Sequence, residues 1–262
     1  MAAFDAGASL DQRIRAHASL GRVLVQLDAP RGRVEAQYGL VRALWKDPAA
    51  AARAVAAGGA GDRGLGVALT AVGEALFYFA EQKRREVEEI HFPEHRGEGD
   101  RDEIRQHVET KIVPWMAHKR IAIDAAEREY LEVVKLQPVP PPRWVIASAS
   151  RVGQMWGKLR ADLRAVPMPR EWAGHGHADI RQAYLSAIDD LSEPIEQRAM
   201  AAFRTCLAYA TKYQYADEYS RLCIDWLSKN DKAHVSAIEE LMPRLGGVGA
   251  PAPAGAPVAD SR

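Results

Sequence analysis

The sequence predicts an all-α protein whose helices pack in antiparallel pairs. Apolar residues recur at intervals of three and four through most of the chain, which is the spacing of one helix face. No segment alternates apolar and polar residues between turn dipeptides, as a half-buried strand would. Hydrophobic residues make up 47% of the 262 positions, which is enough for a substantial core.

The first two helices are predicted to form a hairpin. Ser9 and Gln12 match a capping box at the start of the first helix, and the second helix stops before Pro48. The residues expected to be buried are Leu10, Ile14, Ala18, Gly21 and Val25 on one face of the first helix, Leu20, Val23, Leu24 and Leu27 on its other face, and Val34, Tyr38, Val41 and Trp45 on the second helix.

A short alanine-rich helix and a long helix follow. Asp47 and Pro48 match the cap and the first residue of the short helix, which should end at Gly58. Residues 59–64 satisfy the pattern G-x-G-x-x-G, but a phosphate-binding loop of this kind follows a strand, so we interpret them as a linker. The long helix is expected over residues 64–90.

The next helical region, residues 100–136, carries a signal for a break. Asp100 and Glu103 match an N-terminal cap. Pro114 lacks a backbone N–H, so a kink or break is expected near it.

Residues 138–142, PVPPP, cannot be helical and predict a stiff polyproline elbow. The elbow divides a predicted N-terminal helical region, 1–137, from a C-terminal helical region, 143–243. Residues 244–262 are rich in Gly, Pro and Ala and predict a disordered tail.

The C-terminal region predicts five helices, with a loop over residues 167–177. Their apolar stripes are Val152, Trp156, Leu159 and Leu163; then Ile180, Tyr184, Ile188 and Leu191; then, from Pro194, Ile195, Ala199, Ala202, Cys206, Tyr209 and Tyr213; then Tyr219, Leu222, Cys223 and Trp226; and finally Val235, Ile238 and Leu241.

Charge and composition exclude several classes of function. Lys plus Arg equals Asp plus Glu at 35 each, so no cationic surplus is available for nucleic acid. No stretch approaches the roughly 20 apolar residues of a membrane span, and the N-terminus has no signal-peptide pattern. We expect a cytoplasmic protein without membrane insertion, or a periplasmic or envelope-associated one if an upstream signal is missing.

Two segments resemble the tetratricopeptide repeat, in which a glycine allows two helices to touch. An ordinary helical hairpin is the alternative. The matching positions are His17, Leu20, Gly21 and Leu24, continued by Ala36, Leu40, Ala43 and Pro48, and again Leu69, Val72, Gly73 and Leu76.

From Gly73 onward the chain is similar to the C-terminal region of long tetratricopeptide-repeat proteins of myxobacteria and related bacteria. The similarity rests on GEALFYFAEQKRREVEEIHFPE, PVPPPRWVIASASRVGQMWGK and DEYSRLCIDWLSKN. The resemblance implies an irregular TPR-like α-solenoid that acts as a scaffold, as in cell-envelope or gliding-motility assemblies. It transfers no functional residue.

No catalytic constellation or cofactor motif stands out, and we expect a non-enzymatic protein that binds an unidentified protein or peptide. Arg143 and Trp144 are the candidate partner-binding residues, because Arg and Trp are frequent in interface hot spots. The competing hypothesis is a metal-binding protein or enzyme with a site near Glu88, His91 and His107, since Glu88-x-x-His91 has the spacing of a helical metal site.

Cys206 and Cys223 are equally distant from a turn near residues 214 and 215, so an antiparallel helix pair would place them at the same level. If the compartment is reducing, we expect them to be two small core residues with free thiols. If it is oxidising, we expect them to form a disulfide.

Overall fold

A computed structural model describes residues 7–59 and 61–231 of the chain. Every regular element in these ranges is a helix, which confirms the all-α prediction. The predicted helix with Val235, Ile238 and Leu241, and the predicted tail 244–262, lie outside the described residues. The α-helices are α1 Leu10–Gln26, α2 Arg31–Leu44, α3 Pro48–Ala57, α4 Gly61–Glu89, α5 Arg101–His107, α6 Val113–Val134, α7 Pro142–Arg164, α8 Ala178–Tyr213 and α9 Glu218–Asn230.

Helix starts agree with the capping signals of the sequence. The backbone N–H of Ser9 donates to Oε1 of Gln12 at 3.1 Å ahead of α1. The carboxylates of Asp47 and Asp100 accept the N–H groups of Ala50 and Glu103, each at 2.9 Å. These bonds satisfy amides that a helix cannot pair within itself.

Near Pro114, where a kink or break is expected, the helix changes type without ending. A π-helical turn, Val108–Ile112, joins α5 to α6, and Pro114 falls in the first turn of α6. A proline is tolerated there because the amide it lacks would have no partner inside the helix.

The three long helices α6, α7 and α8 pack in alternating directions. Between α6 and α7, Tyr130 and Arg151 meet at Glu81, and farther along Trp156 Nε1 donates to Glu127 at 3.0 Å. The same reversal relates α7 to α8, where Gly153 lies against Phe203 and Arg164 pairs with Asp189. It follows that α6 and α8, on either side of α7, run in the same direction.

Two hydrophobic clusters form the core and meet on α4. The first includes residues of α1, α2, α3 and the N-terminal half of α4, and the second includes residues of α4, α6, α7, α8 and α9. Leu76 of α4 packs against both clusters. Residues 135–141 join α6 to α7, and Pro142 is the first residue of α7. The division of the chain into regions at residues 138–142 stays a prediction.

The prediction of two separate helices around Pro194 is wrong, because α8 runs unbroken from Ala178 to Tyr213. Pro194 is exposed, so water can bind the carbonyl that loses its helical partner. On the other side of the helix, Ser192, Ile195 and Ala199 are buried and hold α8 against its neighbours.

Several predicted core residues are exposed. On the proposed second buried face of α1, Leu24 is buried and Leu20 is half-buried against the core, but Leu27 is 71% exposed and Val23 46%, so the prediction is wrong at these two positions. Val25, predicted on the first face, is 41% exposed. On α8, Ile180 and Leu191 are also exposed, as is Leu222 on α9. Apolar spacing locates a helix face, but burial requires a neighbouring helix, and none of the described helices covers these positions.

Among the described residues, α4 alone is long and apolar enough to cross a membrane by length and composition. Half of its most apolar window is buried inside the protein, as in the core helix of a soluble fold. This is weak evidence for a membrane span.

Candidate functional site

A pocket of about 420 Å³ lies where the C-terminal end of α4 meets α6 and α7. Its apolar lining includes Val87, Ile90 and Met155, and its charged lining consists of Arg84, Glu88, Lys119, Lys158 and Asp162. The volume is within the range of small-molecule sites, which is roughly 300–1,000 Å³. The pocket therefore combines an apolar wall with groups of both charges.

Lys119 is the most buried charged group of the pocket, with 5% of its surface exposed. Its ammonium donates to the backbone oxygens of Val87 and Ile90 at 2.6 and 2.7 Å, so it caps the end of α4. A cation is favourable there because carbonyl oxygens at a helix C-terminus carry partial negative charge. Burial lowers the pKa of Lys119, while Asp162 acts in the opposite direction.

The other charged groups of the pocket form ion pairs within one helix each. Lys158 contacts Asp162 on α7, and Arg84 contacts Glu88 on α4. Arg84 also holds both oxygens of Glu81 at 3.0 Å. Pairs of opposite charge therefore line two sides of the pocket, one pair from each helix.

The residues of the hypothetical metal site are not gathered around one point. Glu88 contacts Arg84, and His91 lines the pocket. His107 Nε2 lies 3.1 Å from Pro93 O, and its ring packs on that of His95. Within residues 7–59 and 61–231, no three His, Cys, Asp or Glu side chains are placed to share a metal ion.

Cys206 and Cys223 are joined as a disulfide between α8 and α9. Both side chains are fully buried, and their Cα atoms are 6.7 Å apart. The two positions therefore lie at the same level of the helix pair, as their distances from the turn predict.

Arg143 and Trp144 lie at the start of α7, and only Arg143 is exposed. Trp144 is half-buried because its side chain packs against α4. Its Nε1 donates to Thr70 O at 2.9 Å, and its ring centroid is 5.0 Å from that of Phe77. Their role in partner binding stays a prediction.

Exposed apolar side chains occur on α6 and α8, on the helix faces that carry the ion pair between them. Arg198 of α8 pairs with Asp124 of α6 at 2.8 Å and covers the ring of Trp156 on α7 between them. Val113 and Ile121 share the face of α6 that bears Asp124, and Ile180 and Leu191 share the face of α8 that bears Arg198. Because α6 and α8 run in the same direction, these four residues lie on the same side of the ion pair. We call them the α6–α8 surface.

The exposed fractions of the α6–α8 surface are large for apolar side chains. They are 67% for Ile121, 50% for Val113, 49% for Leu191 and 44% for Ile180. Such groups mark interaction sites when they are contiguous.

Comparison with known proteins gives no relative, since no family model, curated protein or solved structure matches this chain. The resemblance to tetratricopeptide-repeat proteins therefore stays a prediction.

Sequence reasoning missed the pocket, although one signal points to it. Trp115, Lys119 and Ile123 are spaced by four residues, so a lysine occupies an apolar stripe of α6. A buried lysine needs oxygen partners. The end of α4 supplies them, but that contact joins residues about thirty positions apart and has no local pattern.

Proposed function

We propose that this chain is a non-catalytic protein-protein interaction module of TPR-like helical-repeat type, and that its α6–α8 surface contacts the partner. The single observation that carries the proposal is the exposure of apolar residues along two parallel helices that flank α7. Stacked helix pairs leave extended surfaces of this kind, which bind peptides or helices of other proteins.

The packing order supports a helical-repeat arrangement. Extensive contacts join helices close in the chain, as in α1 with α2, α4 with α6, α7 with α8 and α8 with α9. A repeat stack has this property because each unit touches its neighbours only.

Close glycine contacts support the TPR-like part of the proposal. A β carbon on Gly21 would approach the Tyr38 ring to 2.9 Å, and one on Gly73 would approach Trp144 to 2.8 Å. Both glycines follow an apolar residue in the Leu-Gly and Val-Gly pairs that resemble the repeat. An ordinary hairpin can share these contacts, so the arrangement as a solenoid belongs to the proposal.

The compartment is also part of the proposal. The Cys206–Cys223 disulfide would form stably in an oxidising space such as a bacterial envelope, and a cytoplasmic chain would carry two thiols. Because both cysteines are buried, native cells are quenched with acid and the chain is alkylated in denaturant without reductant; mass spectrometry of the alkylated and disulfide forms then distinguishes the two locations.

An affinity capture from the native cell, with quantitative mass spectrometry, tests the function. We expect the wild-type chain to enrich a specific protein, and Ile121→Asp to lose it because a carboxylate would enter the apolar contact. Leu40→Asp is the matched control: Leu40 is 44% exposed on α2, outside the α6–α8 surface. Capture that survives Ile121→Asp, or that Leu40→Asp abolishes equally, contradicts the proposed surface.

A further inference from the structure

The pocket at the end of α4 has no role in the proposed interaction surface. Lys119, from α6, forms part of its wall and is fixed by two carbonyl oxygens of α4. Two of the three N–H groups of its ammonium are used in this way. The described part of the chain provides no acceptor for the third, so the ammonium can still donate to a ligand.

Each of the two carboxylates of the pocket, Asp162 and Glu88, uses only one of its oxygens in an ion pair. Lys158 Nζ contacts Oδ1 of Asp162, and Arg84 Nη1 contacts Oε1 of Glu88. Among the described residues, the second oxygen of each carboxylate has no hydrogen-bond donor. Each can accept a bond from a ligand ammonium without breaking the existing ion pair.

The lining carries charges of both signs. Arg84, Lys119 and Lys158 are cations, and Glu88 and Asp162 are anions. A ligand with one charge of each sign can contact groups of opposite charge on both helices, whereas a ligand with a single charge contacts only one kind.

The apolar wall selects the body of the ligand. Val87 and Met155 are buried, and Ile90 and Phe92 are half-buried beside them. A volume of about 420 Å³ admits a molecule of few heavy atoms. Apolar contact with such a wall contributes roughly 25 cal/mol for each Å² removed from water.

We propose that this pocket binds a small zwitterion with an apolar body, namely a free α-amino acid with an aliphatic, thioether or aromatic side chain. Lys119 and Lys158 bind its carboxylate, and Asp162 and Glu88 bind its ammonium. The side chain packs on Val87 and Met155. The site is independent of the α6–α8 surface, and amino-acid binding would add a ligand-sensing function to the chain.

Isothermal titration calorimetry on the full chain tests the site. The probes are L-leucine, L-methionine and L-phenylalanine, with 4-methylpentanoate and 3-methylbutylamine as leucine analogues that lack the ammonium or the carboxylate. We expect at least one amino acid to bind, and each analogue of leucine to bind at least about tenfold more weakly than leucine, which corresponds to about 1.4 kcal/mol. Absence of heat with all three amino acids, or equal binding of either analogue, overturns the proposal.

Variants test the assigned groups with the best-binding amino acid. Asp162→Asn and Glu88→Gln keep the side-chain shape and remove the negative charge, so both should weaken binding at least about tenfold. Glu86→Gln is the matched control, because Glu86 is exposed on α4 and pairs with Lys83 away from the pocket. Binding that is unchanged in Asp162→Asn and Glu88→Gln, or weakened equally in Glu86→Gln, contradicts the assignment.

Discussion

Gly153 of α7 lies so close to Phe203 of α8 that a β carbon at position 153 would come within 2.7 Å of the ring. Four residues later, a β carbon on Gly157 would come within 3.1 Å of Trp226 Nε1 on α9. Phe203 and Trp226 stack with ring centroids 4.6 Å apart. The two glycines therefore open one face of α7 to a pair of aromatic rings from two other helices.

Gly153→Ala should destabilise the protein, because Phe203 is fully buried and has little space to move. We expect a loss of about 1–3 kcal/mol in the free energy of unfolding, measured by urea denaturation. Gly66→Ala on α4 is the control, since a β carbon there meets nothing within 4 Å. It should be stabilising by up to about 1 kcal/mol. Equal effects of the two substitutions would mean that α8 does not approach α7 closely.

Trp226→Ala removes the ring that stacks on Phe203 and should cost about 3 kcal/mol of unfolding free energy. The lower end of the usual range applies because Trp226 is half-buried. Leu222→Ala, on the exposed side of the same helix, should change stability by less than about 0.5 kcal/mol. A melting temperature that does not change in Trp226→Ala would place its ring at the surface.

The Cys206–Cys223 pair should be detectable as a mass two hydrogens lower than that of the reduced chain. The pair closes a loop with a sequence separation of 17 residues, for which chain entropy predicts about 3 kcal/mol of stabilisation. Reduction should lower the denaturation midpoint accordingly. Two free thiols in the native protein isolated without reductant would contradict the linkage.

Stability at alkaline pH should depend on Tyr130, whose side chain is buried against Glu81. Burial, followed by the negative charge of Glu81, raises the pKa of Tyr130 in the folded state. The unfolded chain loses this proton first, near about pH 10, so the contribution of Tyr130 is complete below that pH and falls above it.

The comparison of wild type with Tyr130→Phe isolates this effect, because phenylalanine has no proton to lose. The wild type should lose stability relative to the variant between about pH 9 and pH 11, as measured by urea denaturation at each pH. A difference that is independent of pH would show that the phenol ionises equally in both states.

Much of the helix content could be predicted from local signals. Spacing along the chain predicts the helix caps at Ser9, Asp47 and Asp100, because each cap involves residues three positions apart. The change of helix type near Pro114 is likewise a local effect of one residue and its neighbours. The same local logic fails at Pro194, because packing of Ile195 and Ala199 holds the helix together past the proline. Tertiary contact decides that case.

Contacts between distant segments could not be predicted in the same way. The apolar stripe with Ile180 and Leu191 has the spacing of a core face, yet both residues are exposed because no described helix covers them. Trp144 shows the opposite case, since the space left by Gly73 accepts its ring. The pocket around Lys119 depends on where α4 ends relative to α6, which no short motif specifies.

The most direct test of the account is site-specific photo-crosslinking in the native cell. A photoreactive phenylalanine derivative is placed at Ile121, at Leu191 or, as a control, at Leu40, all of which are exposed. We predict that positions 121 and 191 both crosslink to one other protein and that position 40 does not. No adduct at 121 or 191, or the same adduct at all three positions, would contradict the proposed interaction surface.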